Sequence, residues 1–343
     1  MNLDSRFISW IGSFVKDRIQ YIKFGNFISK QVLVPSGVPQ GSHCGPLLFL
    51  LFINDINQVV RNSNILLFAD DLKIYKDIRS YEDCVLLQED IEKVGVWCET
   101  NLMEVNTKKC FIISFSRNTT AVDYQYSLFH HKVSRVSKIK DLGVMMDQKL
   151  TFTEHVQLVS CKSYKILGFI NRHLKEFPIG TFKLAYISLV RSILEYNCTV
   201  WSPFYQINVK TLEGVQNKFL RICSSKLGIG HQGYQYNYQE LRRVLKLDSL
   251  ELRRTKNDVL FLHNLISGEI DCSSLLEKFK LRCPSRSTRN HPVFKVDFHK
   301  TNYGFFSPIA RLSRLANTYN DEVELFGTSR NRFKSQLKTS KLF

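Results

Sequence analysis

Long apolar runs are missing from this chain. The longest wholly apolar stretch, Leu47 to Ile53, falls far short of the roughly 20 residues that a bilayer-spanning helix requires. No transmembrane segment is therefore expected. No secretory leader is expected either. The start, Met1-Asn2-Leu3-Asp4-Ser5, has neither the basic residues nor the apolar core of one, which points to an intracellular chain whose thiols stay reduced. The 9 cysteines are odd in number and never fall as C-x-x-C or beside histidines at zinc-finger spacing. That pattern argues against a disulfide framework and against a structural zinc site. No internal repeat, long low-complexity tract, HExxH sequence or phosphate-loop glycine motif occurs.

What remains is substantial. The 343 residues are 44% hydrophobic, enough apolar material for one or two cored domains, so disorder is excluded as the main description. Acidic residues are scarce beside basic ones, 31 against 48, for a formal charge of +17. The imbalance is local. Residues 1–150 hold 18 basic and 16 acidic side chains, whereas residues 151–343 hold 30 and 15, a net +15. A field of that sign suits a polyanion, and nucleic acid is the commonest one inside a cell.

The first 150 residues mix short strands, turns and helices. Phe7 to Arg18 reads as helical and Gln31 to Val34 as a strand. Pro35-Ser36-Gly37-Val38-Pro39-Gln40-Gly41-Ser42 is so punctuated by Pro and Gly that it must be a shaped loop. A buried helix is expected next, from Gly45 through Ile53, with Pro46 in its first turn where the ring is tolerated. Ile65 to Ala69 and Leu72 to Tyr75 flank Asp70-Asp71, which reads as a hairpin. Leu87, Ile91, Val94 and Cys98 keep helical spacing, and Phe111 to Phe115 is strand-like. After residue 150 the pattern becomes helical. Val156 to Ile170, Phe182 to Leu194 and Leu212 to Cys223 each carry apolar residues at three- and four-residue steps. A Gly- and Tyr-rich joint, Leu227 to Tyr238, precedes a further helical stretch at Glu240 to Ser267.

The candidate site is the acidic pair. Asp70 and Asp71 follow a strand that is almost wholly apolar, so both carboxylates are held at the rim of a core. Mg2+ favours carboxylate and phosphate oxygens, and phosphoryl transfer on nucleotides commonly uses two such ions about 3.5–4 Å apart. An Asp-Asp pair is also what a plain polar turn carries, so the dipeptide leaves both readings open.

Its neighbourhood changes the weighing. Ser36-Gly37-Val38-Pro39-Gln40-Gly41-Ser42, Gly45-Pro46-Leu47-Leu48-Phe49, Ile53-Asn54-Asp55 and Phe68-Ala69-Asp70-Asp71 occur in that order. The chain thereby resembles the reverse transcriptase of non-LTR (LINE-type, jockey-like) retrotransposons. Asn106 to Cys110 with Ile112 to Ser116 is similar to the segment that follows the metal hairpin in that family. Asp141-Leu142-Gly143-Val144 through Phe152 is similar to its primer-grip hairpin. Leu189 to Tyr196, Val200 to Pro203 and Gln216 to Arg221 resemble stretches downstream of its polymerase core.

The resemblance implies an α+β fold: a partial polymerase palm of antiparallel strands with helices, then an α-helical thumb-like subdomain, then a basic, mainly helical C-terminal region. The implied boundaries are 1–150, 151–226 and 227–343. It further implies an RNA-directed DNA polymerase acting on an RNA template, a DNA primer and deoxynucleotides with Mg2+. Asp70 and Asp71 would be metal-binding catalytic carboxylates, Phe68 the aromatic before them, and Pro39, Gln40, Gly41 and Ser42 part of the template and nucleotide site. A glycine in such a place lets backbone approach a base or sugar closely. Lys109 falls where related polymerases place a lysine near the pyrophosphate, a proton donor to the leaving group; an exposed lysine before a strand is the other reading. The family also needs an earlier carboxylate in a segment of the type AFD, upstream of the helix that here reads Phe7-Ile8-Ser9-Trp10-Ile11. That segment, the finger segments and the endonuclease domain are expected to lie outside this chain, so the chain alone is expected not to polymerise DNA. The alternative is a non-catalytic, basic nucleic-acid-binding relic or repurposed protein. A nuclear or cytoplasmic location, or both, is expected.

Overall fold

A computed structural model of the protein describes residues 4–117, 122–228, 236–282, 292–320 and 322–339. The chain forms two compact units, Met1–Val136 and Ser137–Phe343. In the first, Asp4 accepts from the Arg6 amide and starts helix α1 (Ser5–Val15). Asp17, with φ +52°, breaks the helix and turns the chain into strand β1 (Arg18–Gln20). Strands β2 (Lys23–Phe24) and β3 (Phe27–Ile28) pair with each other, and β4 (Val32–Val34) returns antiparallel to β1 with Ile19 opposite Leu33. Helix α2 (Cys44–Ile53) follows, Pro46 standing in its first turn as expected. It is not the buried helix that the apolar run suggests: Gly45 and Ile53 are buried while Leu47, Leu50, Leu51 and Phe52 are exposed, since a run apolar all round can turn only one face to the small cluster around Val94 and Trp97. Strands β5 (Asn64–Phe68) and β6 (Asp71–Tyr75) form an antiparallel hairpin. Ser80 and Asp83 close a reciprocal capping box at the start of the 20-residue helix α3 (Tyr81–Thr100), satisfying two amides that the helix leaves unpaired. Short strands complete the unit: β7 (Phe111–Ile112), β8 (Ser127–Leu128) paired with β9 (His131–Lys132), and β10 (Ser134–Arg135) parallel to β7. The expected strand from Phe111 to Phe115 is thus only two residues long.

The second unit opens on a hairpin, β11 (Lys138–Asp141) and β12 (Val144–Asp147). Its two turn residues, Leu142 and Gly143, both have positive φ, +42° and +86°, the backbone that matches strand twist in a two-residue hairpin. Helix α4 (Thr153–His173) follows, then α5 (Ile179–Ala185), which runs through a π-helical turn at Tyr186–Arg191 into α6 (Ser192–Glu195). Next come α7 (Cys198–Trp201) and α8 (Gln206–Leu227), the latter ended by Gly228 at φ +63°. Then come α9 (Tyr238–Leu245), α10 (Leu250–Ile266), α11 (Ser273–Leu276), α12 (Asn302–Phe305), α13 (Pro308–Tyr319) and α14 (Arg330–Thr339). Among the described residues no helix is long and apolar enough to cross a membrane.

Helical periodicity in this unit translates directly into burial. All six positions expected to face inward on α8, from Leu212 to Cys223, are buried. On α5 and α6 the buried set is Phe182, Tyr186, Val190 and Leu194. These steps of four keep one face because the π-helical turn holds more residues than an α-turn, and Leu189, expected inside, is left half exposed. Trp201 is wholly buried with its indole donating to Tyr196 O at 2.8 Å. Two adjacent arginines of α10, which periodicity alone does not mark as buried, are drawn inward. Arg253 pairs with Glu195 through both carboxylate oxygens, and Arg254 is buried. Part of the joint between α8 and α9, residues 229–235, lies outside the described residues.

The α4 and α8 helices run parallel, side by side. Asn208 donates to Thr153 Oγ1 at 3.1 Å near one end, and the Lys226 ammonium donates to Leu174 O at 3.0 Å near the other. Midway, a Cβ on Gly214 would lie 2.9 Å from the Tyr164 hydroxyl. The hairpin turn is fixed in a similar way. Tyr196 donates to Leu142 O at 3.0 Å, and a Cβ on Gly143 would meet the Tyr196 ring at 3.1 Å. Replacing Gly143 by Ala combines a left-handed backbone, costing about 1–2 kcal/mol for an L side chain, with that crowding. Gly143→Ala is expected to lower the denaturant midpoint of the helical unit accordingly, as read by circular dichroism; an unchanged midpoint would show that the turn is not held in this way.

Candidate active site

The β5–β6 hairpin is built by alternation. Ile65 pairs with Ile74 and Leu67 with Leu72, so one face of the ribbon is apolar, as successive strand residues point to opposite sides. Ile65, Leu72 and Ile74 pack with Phe49 and Ile53 of α2 and with Val94 and Trp97 of α3. Phe68 lies opposite Asp71, and both are exposed. The turn itself is Ala69-Asp70, with Asp71 already in the strand, one residue displaced from the expected Asp70-Asp71 joint. Ala69 has φ +50°, an uncommon backbone for a residue with a Cβ that the two-residue hairpin turn calls for. Asp70 is exposed at the tip. Two adjacent carboxylates therefore stand together at the end of an apolar-backed ribbon.

The loop before α2 is also held by identifiable bonds. Ser42 N–H donates to Pro39 O at 3.3 Å, closing a turn whose third residue, Gly41, has φ +80°; a turn with positive φ there favours glycine. A Cβ on Gly41 would meet nothing within 4 Å, so the surface above it is open. The Ser42 hydroxyl donates to Pro39 O at 2.7 Å and accepts from the Gly45 amide at 3.0 Å. Gln40 and Gly41 are exposed, Pro39 and Ser42 half-buried. Lys109 is exposed and ends a short 3-10 turn, Thr107–Lys109.

The three candidate segments share one support. The loop leads into α2, the hairpin packs on α2 and α3, and Met103 and Val105 on the way to Lys109 join the same apolar cluster. Two further residues, absent from the sequence reading, shape the site from beneath. The Arg18 guanidinium donates to Ser36 O at 3.0 Å, Gly37 O at 2.6 Å and Val15 O at 3.0 Å, pinning the start of the loop. Asp90, wholly buried, accepts from the amides of Arg61 at 3.2 Å and Asn62 at 2.7 Å. Lys76, just beyond β6, donates to Asn62 O at 2.9 Å. Both strands of the hairpin are thus tied at their open end. Burial pushes the Asp90 carboxyl up, but the amides of Arg61 and Asn62 and the ammonium of Lys93 outweigh it and hold the group below the usual carboxylate range. The available signal was an aspartate on the inward stripe of a helix, between Leu87 and Val94.

Residues 1–170 match the reverse transcriptase (RNA-dependent DNA polymerase) family, and the chain belongs to that family through this segment. Several of its curated relatives are RNA-directed DNA polymerases of non-LTR retrotransposons. The probable RNA-directed DNA polymerase from transposon BS of Drosophila melanogaster is 25% identical over 222 residues, covering 61% of this chain and 24% of the relative. The polymerase from the mobile element jockey of the same fly is 27% identical over 226 residues, covering 62% and 24%. The chain thus spans about a quarter of the length of the curated relatives it matches. No solved structure matches it significantly.

Among the described residues no three His, Cys, Asp or Glu side chains gather as a metal cluster. A pair of exposed carboxylates nonetheless fits a cation of the magnesium type, which is commonly held by one or two carboxylates with phosphate and water oxygens completing its shell. Asp90→Asn is expected to cost about 1–3 kcal/mol of stability at neutral pH, since it weakens charge-assisted bonds to two buried amides. Because the folded carboxyl titrates below its ordinary 3.8, that contribution is present above this pH and disappears as pH falls through the lower folded value. Melting curves of both proteins between pH 7 and pH 2 should therefore converge at the acid end; a pH-independent gap would contradict the assignment.

Proposed function

We propose that this chain is the catalytic-hairpin and helical part of an RNA-directed DNA polymerase, with residues 1–150 a palm remnant, 151–226 a thumb-like subdomain and 227–343 a basic C-terminal region. The observation that carries the reading is the exposed Asp70–Asp71 pair, held on a core-anchored hairpin within the segment that belongs to the family. Asp70 and Asp71 would hold Mg2+, which supplies charge neutralisation on the phosphates and activation of the attacking hydroxyl. Phe68, across the ribbon from Asp71, offers a flat apolar face beside the carboxylates. The open backbone at Gln40-Gly41 leaves room for a nucleotide or template strand, and Lys109 would donate a proton to the departing pyrophosphate. The substrates are an RNA template, a DNA primer end and deoxynucleotides.

Support for the nucleic-acid partner comes from the helical unit. Lys162, Lys165 and Arg172 of α4 and Lys210 and Lys218 of α8 are exposed on two parallel helices, a basic ribbon suited to phosphate. The same ribbon favours the second reading, a non-catalytic nucleic-acid-binding protein. Among the described residues two carboxylates, Asp70 and Asp71, stand together at the hairpin tip and no cluster of three forms; the isolated chain is proposed to bind nucleic acid without polymerising it.

Binding to an RNA template–DNA primer duplex should weaken steeply with salt, by a log–log slope of about −4 if roughly five phosphates are contacted. Primer extension with Mg2+ should give no incorporation by the chain alone. Robust extension abolished by Asp70→Ala would overturn the proposed incompleteness, and absence of salt-sensitive binding would overturn the polymerase reading itself.

A further inference from the structure

The second unit carries a column of planar side chains that neither the hairpin nor the α4–α8 ribbon uses. Tyr205 and Phe204, in the joint between α7 and α8, lie 4.2 Å apart between ring centroids. Phe204 stacks on Phe306 at 4.9 Å with an interplanar angle of 0°. Phe306, just past α12, meets Phe305 edge-on at 4.9 Å, and the Arg314 guanidinium of α13 lies 3.5 Å over the Phe305 ring. Phe204 and Phe306 in the middle are half-buried, whereas Tyr205 and Phe305 towards the two ends are 43% and 41% exposed.

One residue holds both sides of this column. Arg311 donates to the carbonyls of Phe306 at 3.1 Å and Thr199 at 2.5 Å, and to the Asp258 carboxylate at 2.8 Å. The rings from the α7–α8 joint and from α12 are thus ordered together, and a site formed in advance costs less to fill. Packing accounts for the middle rings, since buried aromatic pairs favour such contacts. It does not account for the ends, where two large rings stay open to water.

The charge around those rings is of one sign. Residues 196–212 and 298–320, which build the column, contain Lys210, Lys300, Arg311 and Arg314 and no Asp or Glu. Lys210 and Lys300 are exposed, and Arg314 Nη1 is buried with no hydrogen-bond partner. A ligand for this place combines flat apolar faces with negative charge. Unpaired nucleotides have both: their bases stack on aromatic rings and arginine planes in any sequence, and their phosphates answer the cations. A duplex keeps its base faces within its own stack, which suits it to the α4–α8 ribbon instead.

We propose that the Tyr205–Phe204–Phe306–Phe305 column is a binding site for single-stranded nucleic acid, with bases stacked on the exposed rings of Tyr205 and Phe305 and phosphates answered by Lys210 and Lys300. The column offers ring faces, which RNA and DNA bases match equally. The site is separate from the Asp70–Asp71 hairpin and stands whether or not the chain polymerises.

The test titrates the 343-residue protein, by fluorescence anisotropy, with a labelled oligoadenylate made as RNA, the same strand made as DNA, and an abasic strand of equal length and charge. Both oligoadenylates are expected to bind, and the abasic strand to bind about tenfold more weakly, the scale of a lost base–ring stack. Tyr205→Ala should weaken both oligoadenylates by about tenfold as well, while leaving the abasic strand and an RNA–DNA duplex bound as before. Tyr205→Trp keeps a stacking ring and should bind like the parent, which separates stacking from any loss of fold; melting curves of both variants give the same control. Equal affinity for adenine and abasic strands, or an oligoadenylate affinity that Tyr205→Ala leaves unchanged, would overturn the inference. So would a dimer of this chain that buries Tyr205 and that the strands fail to displace. Absence of salt-sensitive duplex binding with oligoadenylate binding retained would strike the polymerase reading and leave the column standing, so the two failures are distinct.

Discussion

The Trp97 indole is the fastening on which the candidate site depends. Its N–H donates to Asp55 Oδ1 at 3.1 Å and its ring lies tilted against Phe52 at 5.9 Å, joining α3 to the end of α2. An aromatic of this size supplies both a large apolar area and one directional bond. The cluster around it is small, yet the β5–β6 hairpin, α2 and the Met103–Val105 segment all lean on it. The hairpin tip can then be exposed and charged because its base is apolar and fixed. Asp90 adds a polar fastening at the opposite end of the strands, so the carboxylates stand on a ribbon clamped at its open end and free at its tip.

The helical unit is organised differently. One apolar cluster joins α4 to α9 and the start of α10, and a second gathers the remainder of α10 with α13 and α14. Buried charges cross between the helices. Arg311 of α13 donates to Asp258 of α10 at 2.8 Å and to the carbonyl of Phe306 at 3.1 Å; burial pushes the Asp258 carboxyl up against the opposing pull of that guanidinium. Such pairs add little net stability but are costly to break singly, which suits them to fixing how helices meet. Basic residues that remain exposed include Lys162, Lys165 and Arg172 of α4 and Lys210 and Lys218 of α8.

Much of this was legible from residue order. The helices of the second half follow from three- and four-residue spacing, because burial on a helix repeats with its turn, and Leu212 to Cys223 show that correspondence without exception. The turn at Gly41 and the hairpin around Asp70 are written in Pro, Gly and paired acids. Less visible were features set by distant partners. Asp90 binds amides 28 and 29 positions away, Arg18 reaches carbonyls 18 and 19 residues ahead, and Arg253 finds Glu195 across 58 residues. A side chain whose role is decided by such a neighbour looks, in isolation, like an ordinary charge on a helix. The displaced turn at Ala69-Asp70 has a similar origin: strand register, set by the packing of Ile65 and Ile74, decides which of two aspartates occupies the bend.

The central claim is that the paired carboxylates on this clamped ribbon form the cation seat of the molecule. Manganese(II), added to isotopically labelled protein, broadens amide resonances near wherever it binds. Broadening centred on residues 68–71, and abolished when Asp70 and Asp71 are both replaced by Asn, is the predicted result. Broadening centred on other carboxylates, or left unchanged by that double substitution, would contradict it.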